Sequence, residues 1–365
     1  MVRNLLPLLL LLTSPWRVDA VDKLCSLPPA TYTGAKNEYS DIAFALNQLE
    51  EFGIATWYSD RLVNGDARQT ITDLVNTCDE STRLSVVVYG LPNKDCAAGY
   101  SNGNGTVVTS NDYVDFVTQL AETVGERKVL YVLEPDAVGL IADDGCAVES
   151  GYKDNLLLAI PILARNPNAE IYLDVGFWTL ASADSRTKVA QIVNELSRAG
   201  RLKGITLNTS NYRSTQEIAT LCTDFQQTIA NTTMHCIIDT SRNFPVVAGV
   251  NSSEWCNKRS AGVGIPPSNT TGYDNLDYFV WIKPPGDSDG TCDEADRTND
   301  SMKGPEAGVF FKNHFIKLWN QGHFVQELKM AKLKDPDDSS TAPAPLQAAL
   351  FATATILATS VWLWL

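Results

Sequence analysis

Lys128-Val129-Leu130-Tyr131-Val132-Leu133-Glu134-Pro135-Asp136 carries an unbroken apolar run that stops at two carboxylates. A strand with one wet face alternates apolar and polar residues, so an unbroken run suits a strand covered on both faces. The same rhythm recurs at Ile54–Trp57, Leu84–Leu91, Ile171–Asp174, Gly204–Leu207, Cys236–Asp239 and Tyr278–Ile282. Between these runs lie segments of helical period. Asp41–Phe52 stops at Gly53, Asn111–Val124 at Gly125 and Arg186–Ala199 at Gly200, the usual punctuation of a helix C-terminus. Ala67–Asn76, Asn155–Arg165, Thr215–Ile229 and Gly308–Trp319 read as further helices. Buried strands alternating with helices predict an α/β fold, a distorted parallel β/α barrel of about seven strands in a single domain, with a doubly wound open sheet as its competitor.

Acids stand at the ends of these runs. Asp95 follows Leu84–Leu91, Glu134 and Asp136 follow Val129–Leu133, Asp174 and Asp239 close their own runs, and Asp287 and Asp289 follow Tyr278–Ile282. In a parallel barrel all strand carboxyl ends share one face, so acids far apart in sequence converge there. A single such acid could be a helix cap, but five or six exceed that need. Convergent carboxylates suit metal binding or glycoside hydrolysis, which requires one protonated acid and a second group handling water. Trp57, Tyr89, Trp178 and Trp255 lie at or just after strand ends, where flat rings suit pyranose faces, although each could equally serve core packing.

The chain has 365 residues, 44% apolar and 20% charged, with a net charge of −14. That balance disfavours nucleic acid, which rewards clustered Lys and Arg. His235, His314 and His323 have no metal-site spacing, and the reading calls for neither metal nor cofactor. Gly99-Tyr100-Ser101-Asn102-Gly103 matches a nucleophile elbow in letters only, because it falls well past the strand and no histidine is placed for a triad.

Met1–Ala20 has the charged, apolar and small-residue order of a secretory signal peptide. Residues 334–345 form a polar, Pro-rich spacer, and Leu346–Leu365 is apolar and uncharged. Small residues at Ser339-Ser340-Thr341 before that tail suggest a glycolipid anchor signal, with a plain tail anchor as the alternative. Secretion would make the eight cysteines a disulfide framework and open the sequons at Asn104, Asn208, Asn231, Asn251, Asn269 and Asn299 to glycans. Folded material is then expected over residues 21–333.

Val87-Val88-Tyr89-Gly90-Leu91-Pro92-Asn93-Lys94-Asp95-Cys96-Ala97, Leu133-Glu134-Pro135-Asp136 and Ile171-Tyr172-Leu173-Asp174-Val175-Gly176 follow one another in order. Asn208–Tyr212, Ile238–Asn243, Glu254–Asn257 and Asp277–Gly290 continue the series. Together these blocks resemble glycoside hydrolase family 6, the cellulases that include endoglucanases and cellobiohydrolases. The resemblance implies an inverting hydrolase of β-1,4-glucan occupying residues 21–333. By position Asp136 resembles the general acid, and Asp95 the aspartate that helps keep it protonated and joins the water network. Asp289 resembles an acid sometimes assigned as base, a role the family leaves contested. Tyr89 resembles the tyrosine that favours a distorted sugar ring. Trp57 and Trp255 match stacking platforms, Lys283 and Asp287 sugar-binding positions, and Ser101 a serine near the reacting sugar. Asp174 and Asn208 are carried over as substrate-binding residues. Cys96–Cys146 and Cys256–Cys292 resemble the family's disulfides, leaving Cys25–Cys78 and Cys222–Cys236 as additional pairs.

The chain departs from the family where a histidine and a tryptophan usually follow the third block. Phe177 and Leu180 stand there, with Trp178 displaced, which touches the leaving-side sugar contacts. Lys94 replaces the usual arginine. Short stretches at Lys283–Glu306 and Tyr212–Ile237 favour an open cleft, so the expectation is a monomeric, secreted endo-β-1,4-glucanase, membrane-bound only through its C-terminal anchor. A cellobiohydrolase of the same family and a catalytically weak glucan-binding surface protein are the alternatives.

Overall fold

The computed structural model describes residues 22–61, 66–103, 105–244, 254–293 and 297–337. The signal-peptide, anchor-site and tail readings, most of the spacer and the sequons at Asn104 and Asn251 lie outside them.

Among the described residues eight strands form one sheet, all paired in parallel. They are β1 (Leu24–Cys25), β2 (Thr56–Ser59), β3 (Arg83–Tyr89), β4 (Val129–Leu133), β5 (Ala169–Asp174), β6 (Gly204–Leu207), β7 (His235–Asp239) and β8 (Leu276–Val280). From β3 to β8 the spatial order follows the sequence order without reversal. A doubly wound sheet reverses at a switch point, so that alternative is excluded. β1 and β2 share one edge of β3, β1 at its start and β2 at its end. A single parallel bridge, Ile54 to Trp281, then joins the β2 edge to the β8 edge. The sheet is thus a barrel closed at one point, in which β2 to β8 run round the circumference.

Neighbouring residues of one strand fall into two apolar clusters. Val87, Leu130, Val132, Tyr172, Tyr278 and Val280 pack with Ala55 and Ile282. Val86, Val88, Tyr131 and Leu133 pack instead with helix residues such as Val117, Leu120, Leu156 and Ile160. Both faces are dry, which is why the runs are unbroken rather than alternating.

The helices begin and end on local chemistry. Thr109 and Asp112 form a capping box at the start of α4 (Ser110–Val124), and Ser214 caps α10 (Thr215–Ile229). α3 (Ala67–Thr77), α7 (Tyr152–Leu163), α9 (Ala183–Leu196) and α11 (Lys312–Gln321) occupy the other expected segments, and α2 (Ala43–Glu50) is shorter than its periodic run. α1 (Ala30–Glu38), α5 (Ala137–Ala142), α6 (Cys146–Glu149), α8 (Phe177–Leu180) and α12 (His323–Gln326) were not legible. Four of these have too few residues to show a period, or, like α1, too few apolar ones. No helix among the described residues is long and apolar enough to cross a membrane.

Candidate active site

At the carboxyl ends of the strands lies a cleft of about 1160 Å3, lined among others by Trp57, Tyr89, Asp95, Ser101, Asp136 and Trp255. Lys283, Asp287 and Asp289 face it as well. Acids spread over the sequence therefore meet on one face. Two disulfides hold the loops that carry them. Cys96–Cys146 ties the Asp95 loop to α6, and Cys256–Cys292 ties the Trp255 segment to the Asp289 loop. Cys25–Cys78 and Cys222–Cys236 staple β1 to the end of α3 and α10 to β7. The buried Lys94–Asp60 ion pair fixes the Asp95 loop to the end of β2, and Asp60 also accepts from the Val107 N–H at 2.9 Å.

Asp136 is the first residue after Pro135 and has a left-handed backbone, φ +66°. Asp95, Glu134 and Asn208 share that region. A cluster of non-glycine residues at positive φ is a store of strain typical of functional sites. The Asp136 N–H donates to Asp174 Oδ1 at 3.0 Å, while the Asp136 carboxyl enters no hydrogen bond among the described residues. Burial, then the neighbouring Asp174 and Asp95 carboxylates, raises its pKa well above the ordinary value. A protonated acid is thereby available in the cleft.

Asp95 sits at the end of a relay. Ser101 gives both its N–H (2.6 Å) and its hydroxyl (2.8 Å) to Asp95 Oδ2. The Ser101 oxygen lies 2.9 Å from the Tyr89 hydroxyl. Since the serine proton is committed to Asp95, Tyr89 must donate to Ser101.

Asp289 is built differently. Its Oδ2 accepts from Arg242 at 2.9 Å, from the Tyr212 hydroxyl at 2.8 Å and from the Asn257 N–H at 2.8 Å. Lys283 lies 3.4 Å from Oδ1. Burial alone would push this carboxyl up, but Arg242 and Lys283 overcome it and hold it well below the carboxylate range. Such a group is a weak proton acceptor. Asp287, by contrast, is pushed up to about 7 by burial, only partly countered by Lys283 and the Thr31 hydroxyl.

Three of the sequence-picked acids hold backbone instead of lining the cleft. Glu134 is fully buried and accepts from Gly90 N–H, Leu91 N–H and the Tyr113 hydroxyl. Asp239 accepts from the N–H groups of Ser210, Ser241, Ile282 and Lys283. Asp174 receives Asp136 N–H, Gly176 N–H and the Thr209 hydroxyl. Asn208, expected to bind substrate, is buried and spends its side chain on Arg213 and on the Asp239 carbonyl. These bonds hold the Asp174 and Asn208 side chains against the backbone of neighbouring loops.

Trp57 donates to the Ile282 carbonyl at 2.8 Å and stands edge-on to Tyr89. Trp255 lies under the Arg297 guanidinium at 4.7 Å. Arg242, Tyr212 and Asn257 were present in the quoted motifs without a role. The signal was there for Arg242: an arginine three residues beyond a buried strand end needs an acid partner.

Residues 28–322 match the family model described as glycosyl hydrolases family 6. A relative from Podospora anserina, 1,4-beta-D-glucan cellobiohydrolase CEL6C, is 30% identical over 316 residues, 75% of this chain and 78% of that protein. The 1,4-beta-D-glucan cellobiohydrolase C of Emericella nidulans is 30% identical over 272 residues, 64% of this chain and 60% of that protein. The chain thus spans about three-fifths of the length of several relatives it matches. The structure of the endoglucanase Cel6 from Mycobacterium tuberculosis, in complex with a thio-cellobioside, aligns with a TM-score of 0.67 at 25% identity, over 82% of this chain and 97% of that one.

Proposed function

The chain belongs to glycosyl hydrolases family 6, and from that premise we propose that it is a secreted endo-β-1,4-glucanase hydrolysing cellulose-type glucan with inversion, with Asp136 as general acid. The observation that carries this reading is the Asp136 carboxyl itself. It lines the cleft, is held by its backbone, and keeps its proton because burial and two neighbouring carboxylates disfavour the charged form. Protonating a glycosidic oxygen is the task of such a group.

Inversion needs a water activated on the opposite face of the sugar. Asp289 is poorly suited to that task, since three donors converge on its Oδ2 and Arg242 and Lys283 hold it well below the carboxylate range, which makes it a weak base. Asp95 has one oxygen engaged by Ser101 and the other uncommitted among the described residues, so the proton from water passes toward Asp95 and Ser101. Trp57 and Trp255 supply stacking surfaces, Tyr89 presses on the ring at the cleavage point, and Lys283 and Asp287 bind sugar hydroxyls. Asp174 and Asn208 hold the loops that present these groups.

The endo assignment rests on the connections over the cleft. Only residues 208–214 separate β6 from α10. That leaves little chain to roof the site there, and an open cleft admits the interior of a polymer. Soluble cellulose should lose viscosity quickly relative to the reducing ends formed; release of cellobiose alone refutes the endo mode. The cellobiohydrolase names of two relatives favour the exo alternative. Leu180, which is fully buried where a sugar-facing tryptophan is usual, favours weak catalysis with glucan binding.

Secretion is supported by the four disulfides, which need an oxidising compartment. The Leu346–Leu365 tail is read as a glycolipid-anchor signal. Phosphatidylinositol-specific phospholipase should release active protein lacking it, and a mature chain that retains the tail contradicts the anchor.

A further inference from the structure

Between the Cys96 disulfide and Ser101 the chain reads Ala97-Ala98-Gly99-Tyr100, three exposed small residues and then one large, half-buried ring. The Ser101 N–H that reaches Asp95 Oδ2 at 2.6 Å belongs to the peptide joining Tyr100 to Ser101. Where the Tyr100 ring rests therefore bears on where Asp95 points. It rests on the loop after β8. A Cβ on Gly290 would come within 2.6 Å of Tyr100 Cδ1 and 2.9 Å of Cε1. Gly290 also has φ +148°, a conformation that disfavours other residues. Trp255 meets the same ring edge-on, with ring centres 5.9 Å apart.

That seat is fixed from below. The Gly290 carbonyl accepts from the Asn257 amide at 2.9 Å and from the Ser288 hydroxyl at 3.0 Å, and Cys256–Cys292 ties the two segments together. Trp255 is held beneath Arg297, and its N–H donates to Glu254 at 3.1 Å. β2 lies between β3 and the β8 edge, so the Tyr100 contact joins loops of strands that are not neighbours in the sheet. On the Asp95 side the backbone is strained: Asp95 has φ +56°. Such a conformation costs free energy and persists only where surrounding contacts enforce it. Ala97, Ala98 and Gly99 are too small to do so, and Tyr100 is the large side chain of the turn.

We propose that Tyr100 is a positioning residue for Asp95: its ring, braced on Gly290 and Trp255, holds the Tyr100–Ser101 peptide where it orients the carboxylate that takes the proton from water. The proposal rests on the glucan-hydrolase reading and on Asp95 as the water-side group, and its test separates the three. Wild type, Tyr100→Ala, Tyr100→Leu and Tyr100→Phe would be assayed on cellohexaose and on β-cellobiosyl fluoride. Activation of water serves both substrates, so Tyr100→Ala should lower kcat about tenfold on each, the size of an aromatic contact, with KM moved by no more than about twofold. Tyr100→Phe keeps the ring and should retain the wild-type kcat, and Tyr100→Leu should fall between. In an Asp95→Asn background Tyr100→Ala should cost nothing further, because the group it positions no longer takes a proton. A rise in KM at unchanged kcat would make Tyr100 a sugar contact. A loss of the same size in the Asp95→Asn background would give it a role apart from Asp95. Either result overturns the proposal, as does a Tyr100→Ala variant that matches wild type. Wild-type rates for Asp95→Asn itself would refute Asp95 as the water-side group, and wild-type protein that cleaves neither substrate would sink the glucan-hydrolase reading.

Discussion

Asp136 and Asp174 are joined backbone to carboxylate: the Asp136 N–H donates to Asp174 Oδ1 at 3.0 Å, so the contact holds two acids together without occupying either oxygen of Asp136. Burial comes first among the causes that raise Asp136, and the charge of Asp174 comes second. The general acid must be protonated, so activity is lost as pH rises through its pKa. Asp174→Asn keeps an oxygen for the Asp136 and Gly176 N–H groups but removes the charge. The alkaline limb of kcat/KM should then move to lower pH by about one unit. An alkaline limb that stays in place would mean that Asp174 does not tune the acid.

The Tyr89–Ser101–Asp95 relay gives a second test. Ser101→Ala deletes the hydroxyl between tyrosine and aspartate but leaves the backbone N–H on Asp95. Losing a hydrogen bond to a charged group should lower kcat about tenfold or more, with little change in KM. A rise in KM at unchanged kcat would place Ser101 in ground-state binding instead.

Arg242 is fully buried beside Asp289, with its guanidinium also over the Tyr212 ring at 4.4 Å. Arg242→Met strands the carboxylate and should destabilise the fold by about 3–5 kcal/mol at neutral pH. Because the folded pKa of Asp289 lies below its ordinary 3.8, its contribution is present above that value and lost as pH falls through the folded one. Urea unfolding should therefore show a deficit that is largest near pH 7 and shrinks below about pH 4. A deficit independent of pH would assign it to packing alone.

Glu134 and Asp287 have the opposite sign. Burial lifts each to about 7, so the stability they favour is present below their ordinary values of 4.5 and 3.8 and is lost as pH rises toward 7. The unfolding midpoint should fall between mildly acidic and neutral pH, and Asp287→Asn should flatten that slope. A midpoint that rises over this window would contradict both assignments.

The buried parallel strands were legible because they are dry on both faces, as in Val129–Leu133, whereas the choice of barrel over doubly wound sheet needed the strand order. The convergence of Asp95, Asp136, Asp287 and Asp289 followed from strand ends sharing one face. What sequence could not divide was which acids face the cleft and which clamp backbone. Glu134, Asp174 and Asp239 look identical to Asp136 as letters at strand ends, and the difference lies in loop geometry: their oxygens meet amide groups of neighbouring loops. The Asn208 side chain likewise meets backbone groups of neighbouring loops. The short helices α5 and α8 escaped because four to six residues show no period, although α8 carries Trp178 to the cleft wall.

Asp136→Asn tests the central claim most directly. Asparagine has nearly the same size and accepts the left-handed backbone of this position, φ +66°, so the fold should survive, as an unchanged unfolding midpoint will show. It cannot deliver a proton to a leaving oxygen. Hydrolysis of soluble cellulose should fall by about 10²-fold or more, while β-cellobiosyl fluoride, whose leaving group needs little help, should lose far less. Equal and small losses on both substrates, accompanied by a lower midpoint, would make Asp136 a structural residue and contradict the account.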